Sequence, residues 1–306
     1  MSQIYSVMFH DLYDIGGEST QGAINWKEFQ KIVEVIRKSD LISSAEVLND
    51  STTEDLEQKI FITFDDGLLR QFELGLDWLD KLDIVACFFV HTSPLLGDYD
   101  VHQLLRTLKN SNIFQGVEEF NKKFINHLQS DYTQHEIDKI DNSFSQKGYF
   151  NQFTFYSDSD KKLRFIRDHY ISQDEYKEKA ISFIHSFNID TDSLAEDTYM
   201  TGDNLKTIAE RGHVVGLHSH SHPSNLGSLS DQEQFTELKR NKEVIESMIG
   251  SPPKTISYPS NSYNSQTISH LIDLDIYSGF RADDKITKAP YELARIDARM
   301  FYEEII

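Results

Sequence analysis

The sequence predicts an α/β fold, a distorted (β/α)7-like barrel with an inserted helical segment, and three observations predict it. Short apolar runs rich in β-branched and aromatic residues alternate with helical periodicity over residues 1–93 and again over 199–306. About seven such units can be counted, and strand, helix, strand repeated this way implies parallel pairing through right-handed crossovers. Between them, 94–198 loses the rhythm and becomes mostly helical and polar, so it reads as an inserted helical cap or as thickening of the scaffold.

Taken in order, Ile4 to Phe9 is the first strand and ends at His10 and Asp11. Asp14 to Gly22 is a glycine-bearing loop. Asn25 caps a helix from Trp26 to Lys38, whose Phe29, Ile32, Val33 and Ile36 follow the i, i+3, i+4, i+7 rule. Ile60 to Phe64 is a strand buried on both faces, Leu68 to Leu82 a helix, and Ile84 to Val90 the next strand. In the insertion, helices are expected at Val101 to Leu108, Val117 to Leu128, Lys162 to Tyr170 and Asp174 to Phe187. Phe153, Phe155 and Tyr156 have the chemistry to stack on sugar rings, although at this spacing aromatics more often pack. The barrel pattern resumes with a helix from Asn204 to Glu210, stopped by Gly212. A strand follows at Val214 to Leu217, then a long helix opened by the capping box of Ser230 and Glu233, with Phe235, Leu238, Ile245, Met248 and Ile249 as its inner face. Thr255 to Tyr258, Ile276 to Phe280 and Leu293 to Ile296 are the remaining strands, with a helix at Tyr263 to Leu274.

Composition narrows the function. The chain has 306 residues, and 50 acidic against 30 basic side chains give a net charge of −20, which argues against nucleic acid or an anionic membrane as the main partner. The single cysteine, Cys87, lies in an apolar run and excludes an intrachain disulfide framework. No apolar run reaches the roughly 20 residues of a membrane span. The N-terminal stretch lacks a basic region followed by a long apolar one, so a cytoplasmic protein is expected.

Two stretches carry chemistry. Ile60 to Phe64 runs into Asp65-Asp66-Gly67, and two carboxylates entering a low-dielectric core must be bound to something, or one must stay protonated. A metal cation removes the difficulty: one acid can ligate it while the other remains a free base. The ordinary alternative, an Asp-Gly turn, loses ground because Gly216-Leu217-His218-Ser219-His220-Ser221-His222-Pro223 places three histidines at the end of another strand. Two imidazoles and one carboxylate form a tripod that leaves positions open for water and substrate.

Thr63-Phe64-Asp65-Asp66-Gly67 followed by His218-Ser219-x-x-His222-Pro223 resembles the first two motifs of the polysaccharide deacetylases with a NodB homology domain, carbohydrate esterase family 4. The resemblance covers the barrel segments and implies hydrolysis of an N-acetyl group from an amino sugar. It implies Asp65 as general base and Asp66, His218 and His222 as ligands of a divalent metal ion, zinc first, with cobalt and nickel as alternatives. His220 falls on the family's variable position. The third motif is degenerate as Ser257-Tyr258-Pro259-Ser260, where the N–H of Ser260 is the oxyanion-hole candidate. Its arginine is missing, and Arg281 or Arg295 could substitute. Tyr258, Arg281 and Arg295 are taken as substrate-binding. The fifth motif lacks its histidine at Leu293-Ala294-Arg295. Val7-Met8-Phe9-His10 fits the circularly permuted arrangement of the poly-N-acetylglucosamine deacetylase-like subset, making His10 the general-acid candidate. His270 mimics the same motif but is expected on a helix surface. The expected partner is an N-acetylated sugar or oligosaccharide precursor in cell-surface polysaccharide biosynthesis. The alternatives are hydrolysis of another small non-peptide amide and an inactive carbohydrate-binding relative.

Overall fold

The computed structural model describes residues 6–13, 23–39, 42–50, 56, 59–149, 157–285, 287 and 289–306. Ile4 and Tyr5 of the first strand, the loop 14–22, and Phe153, Phe155 and Tyr156 lie outside the described residues. The chain divides into two compact units, residues 1–98 with 198–306, and residues 99–197.

The first unit is built on seven strands: β1 (Ser6–Phe9), β2 (Ile62–Phe64), β3 (Cys87–Val90), β4 (Val214–Leu217), β5 (Thr255–Ser257), β6 (Ser278–Phe280) and β7 (Arg295–Asp297). They form one sheet in the order β6-β5-β4-β3-β2-β1-β7, every pair parallel. The edges approach one another: Leu293 N–H donates to the Gly279 carbonyl at 2.8 Å and Arg281 N–H to the Leu293 carbonyl at 2.9 Å. The result is a nearly closed parallel barrel surrounded by helices. Among the described residues, no helix is long and apolar enough to cross a membrane.

Strand alternation sorts side chains into two layers. Ile60, Ile62 and Phe64, with Phe88, Val90 and Val215, face the surrounding helices, where Phe64 stacks on Phe88 with centroids 4.7 Å apart. The other parity, Phe61, Cys87, Phe89, Val214 and Phe280, fills the barrel interior. Gly216 shares that interior parity, and a Cβ there would sit 2.6 Å from the Phe89 ring, so only glycine lets the ring occupy the space. Continuing the count along β2, residues 61, 63 and 65 share one face. Asp65 is thereby delivered to the interior by register alone.

The helices follow their caps and stripes. Asn25 and Glu28 form a capping box for Trp26–Arg37, which buries Phe29, Ile32, Val33 and Ile36 as its periodicity predicts. Residues 71–75 make a π-helical turn ahead of Leu76–Lys81. The long helix Asp231–Ile249 buries Leu238 and Ile245, but also Gln234 and Asn241, whereas Phe235 is only half-buried. In the second unit, helices span Val101–Lys109, Val117–Leu128, Gln134–Lys147, Asp158–His169, Gln173–His185 and Thr191–Glu196, around Phe120, Phe124 and Phe183. The helices at 134–147 and 191–196 were not expected from periodicity.

Candidate metal centre and active site

The site lies where strands end. After β2 the chain turns left-handed at Asp66 (φ 76°) and Gly67 (φ 65°). A non-glycine residue in that conformation costs of order 1–3 kcal/mol, and it persists where surrounding contacts enforce it. Here Gln71, fully buried, donates through Nε2 to the carbonyls of Asp65 at 2.6 Å and His10 at 2.9 Å, tying the ends of β1 and β2 together.

After β4 a second left-handed turn, with Ser219 at φ 59° and His222 at φ 56°, brings two imidazoles to the same place. His222 N–H donates to Ser219 Oγ at 3.1 Å. Asn241 accepts from the His218 N–H at 2.9 Å and donates to the Val90 carbonyl at 2.9 Å and to Thr92 Oγ1 at 3.1 Å, joining the ends of β3 and β4. One carboxylate oxygen of Asp66 lies 3.3 Å from His218 Nε2 and 3.5 Å from His222 Nε2. Ligand atoms of the three residues all fall within 4.8 Å of one another, close enough to hold one metal ion.

The donor set fits such an ion chemically. His218 Nδ1 faces the Ser257 carbonyl at 2.8 Å, and a carbonyl only accepts, so Nδ1 carries a proton and Nε2 is the ring nitrogen turned toward Asp66. Burial opposes charge on His218, but Asp65 and Asp66 draw its pKa upward, so an ion at Nε2 would take the place of a proton that the carboxylates otherwise attract. Burial likewise opposes ionisation of Asp66. The His218 hydrogen bond and the charges of His10, His222 and His218 nonetheless hold it well below the usual carboxylate range.

Asp65 points into the barrel, where it meets Arg295. That guanidinium donates to Asp65 Oδ1 and Oδ2 at 2.7 Å each, to Thr63 Oγ1 at 3.0 Å, to Ser257 Oγ at 2.6 Å and, through Nε, to the Arg281 carbonyl at 2.8 Å. Those five bonds use all five guanidinium N–H groups. The rings of Phe89 and Phe280 lie within cation–π range, 5.6 and 5.7 Å from the guanidinium carbon. Ser257 Oγ also donates to Asp65 Oδ2 at 2.9 Å. Burial pushes the Asp65 pKa up, and the Arg295 charge together with His218 more than offsets it, leaving the carboxyl below its ordinary value.

This geometry corrects part of the substrate-binding expectation. Arg295 has no donor left for a substrate and is the residue that orients Asp65. Tyr258 is buried, and its hydroxyl donates to the Tyr291 carbonyl at 2.9 Å. Arg281 turns to Asp283 at 2.8 Å and to the Lys285 carbonyl rather than to Asp65. His270 is also not a surface residue: it is buried with Nε2 3.0 Å from Asp231. His220 is turned out of the metal set, bonded to Thr92 Oγ1 at 2.9 Å. His10 follows β1, half-buried, and its charge acts on both Asp65 and Asp66. Ser260 sits after β5 in a left-handed conformation (φ 51°, ψ 26°), exposed.

One neighbour was missed in the sequence. His91, at the end of β3, is buried with its ring centroid 5.4 Å from that of His222. Burial and the His222 charge lower its pKa to about 3, so it stays neutral, and its Nδ1 has no hydrogen-bond partner among the described residues.

These features define a class: a parallel α/β barrel with a carboxylate–histidine cluster that could hold a metal ion on one rim and a second, arginine-held carboxylate beside it. Residues 170–278 match the family model described as polysaccharide deacetylase. A peptidoglycan-N-acetylglucosamine deacetylase of Bacillus cereus is 33% identical over 66 residues, 22% of this chain and 24% of that one. An uncharacterized protein of Bacillus subtilis, YlxY, is 29% identical over 96 residues, 31% of this chain and 30% of the relative, so the matches span well under half of either curated protein. The Streptococcus pyogenes deacetylase PplD, solved with acetate, superposes with TM-score 0.55 at 15% identity, covering 98% of this chain and 96% of that one. The BpsB deacetylase domain of Bordetella bronchiseptica gives TM-score 0.53 at 15% identity and 96% of both chains. At that identity the two structures establish the shared fold.

Proposed function

We propose that this chain is a metal-dependent hydrolase that removes an N-acetyl group from an amino sugar, acting on a precursor in cell-surface polysaccharide biosynthesis. The observation that carries the reading is the pairing of the Asp66, His218 and His222 donors with an ionised Asp65 fixed by Arg295. Asp66, His218 and His222 would hold a divalent ion, zinc first, whose Lewis acidity would activate an amide carbonyl and a water toward one another. Asp65, held ionised and with its orientation set by two guanidinium bonds, takes the proton of the attacking water. His10 is the candidate to return a proton to the departing amine. The N–H of Ser260, preset by its left-handed turn, is the candidate donor to the developing oxyanion. An active enzyme is favoured over an eroded binding protein because Arg295 supplies the orienting cation that the degenerate third motif lacks.

The test is Asp65→Asn, with metal content, folding and acetate release from N-acetylated amino sugars measured on one preparation. Acetate release should fall about 10²–10⁴-fold with metal stoichiometry unchanged. Full activity in the variant would refute the assigned base.

A further inference from the structure

The chain between the two histidine donors is bent against its preference. Ser219 and His222 both take left-handed backbone, φ 59° and 56°, which non-glycine residues hold only where surrounding contacts enforce it. Between them, the N–H groups of His220 and Ser221 turn to one side and both donate to Glu237 Oε2, at 2.9 and 2.8 Å, while Ser221 Oγ donates to Glu237 Oε1 at 2.8 Å. Two successive N–H groups turned the same way make a small anion-binding concavity, and a carboxylate accepts from them about twice as strongly as a neutral oxygen would. Glu237 fills, from within the chain, the anion site that this turn creates.

Glu237 lies one turn before Asn241 on the helix Asp231–Ile249, so the two share a face. They hold different histidines. Asn241 accepts from the His218 N–H at 2.9 Å, and the His218 ring is fixed again by the Ser257 carbonyl at 2.8 Å. That side chain is 3% exposed, against 27% for His222. The more open ring is carried by the loop that Glu237 closes. The His220 carbonyl also accepts from the N–H groups of Thr92 and Ser93, at 3.1 and 2.9 Å, which pins one side of the loop to the end of β3. The Ser221 side, next to His222, is held by Glu237 through both the N–H and the hydroxyl.

We propose that Glu237 is a positioning residue for the metal site: by locking residues 220–221 it sets where the His222 imidazole stands relative to that of His218. The inference rests on the metal-dependent reading above. It is tested on the full chain, without substrate, by measuring zinc affinity in competition with a chromophoric chelator. Glu237→Ala should weaken zinc binding about 10–100-fold, the range for residues that support a metal ligand. Glu237→Gln, whose amide oxygen can accept the same two N–H groups, should recover most of that loss, and Glu246→Ala, which removes an exposed glutamate of the same helix, should leave the affinity unchanged. In a His222→Ala background, Glu237→Ala should cost nothing further, because the donor it positions is gone. Equal zinc affinity in Glu237→Ala and the unaltered chain, an equal loss in Glu246→Ala, or a loss that persists in full in the His222→Ala background overturns the proposal. Should Glu237→Ala fail to fold, Glu237→Asp decides. Its carboxylate falls one methylene short of the loop, so weakened zinc binding supports the role and unchanged binding refutes it. An unaltered chain that binds no zinc would overturn the metal site itself, and the role of Glu237 with it.

Discussion

The contact on which the active-site reading turns is open to a double-mutant cycle. Arg295→Met keeps the length of the side chain but removes five hydrogen bonds and leaves Asp65, 2% exposed, as a buried carboxylate without its counter-charge. Breaking a buried ion pair from one side costs about 3–5 kcal/mol, because the surviving charge is stranded. For a unit of the size of residues 1–98 with 198–306, each kcal/mol lowers Tm by about 2–4 °C, so a drop of roughly 6–20 °C is expected. Asp65→Asn should also destabilise, by stranding Arg295. The double variant strands neither charge and should be about 2–3 kcal/mol more stable than the two single losses predict together. Both tryptophans, Trp26 and Trp78, lie in this unit with ring centroids 5.8 Å apart, so tryptophan fluorescence follows its unfolding without signal from residues 99–197. Strictly additive losses would refute the claim that Arg295 and Asp65 act as a pair.

Three further outcomes are expected. His218→Ala leaves two of three donors, so metal content should fall, and a chelator that lowers the Tm of the unaltered protein should leave the variant unmoved; equal chelator shifts would count against the tripod. Gly67→Ala forces a Cβ to within 2.8 Å of Val90 Cγ1 at a φ of 65° and should cost about 1–3 kcal/mol, read from urea midpoints, with a neutral result contradicting the turn described. Glu28 pairs with Arg299 through bonds of 2.9 and 2.8 Å; although burial opposes its ionisation, the Arg299 hydrogen bond holds its pKa below 4.5. Its contribution should therefore be present above pH 4.5 and disappear as pH falls through the lower folded value. The stability gap between Glu28→Gln and the unaltered protein should close over that acid range, and a gap independent of pH would exclude the linkage.

Much of the barrel was legible because each strand is a compact apolar run and each end is marked by polar residues. Asp66 and the two histidines meet because β2 and β4 are separated only by β3 and end on the same rim, a consequence of the parallel order that counting units already implied. The place of Arg295 was not legible. A charged side chain in a three-residue strand gives no sign of which face it takes, and its partner lies 230 residues away. Gln71 and Asn241 were invisible for a related reason: a polar residue on a helix reads as solvent-facing, whereas here each is buried to bond strand-end backbone. His91 did leave a signal, since Ile84 to Val90 ends on a histidine as the first strand ends on His10. In the second unit, Gln134–Lys147 escaped because it buries only Ile140, although Thr133 and Glu136 spell its capping box.

The placement of Arg295 on the last barrel strand has a bearing on how the molecule is assembled. Until that strand docks beside β1, the carboxylate at position 65 has no guanidinium to accompany it into the interior, so sealing the cylinder and neutralising its charge are one event. Such a long-range closure belongs late in folding, where loop entropy makes it slow. A nascent chain would therefore acquire its shape and its chemical competence at the same moment.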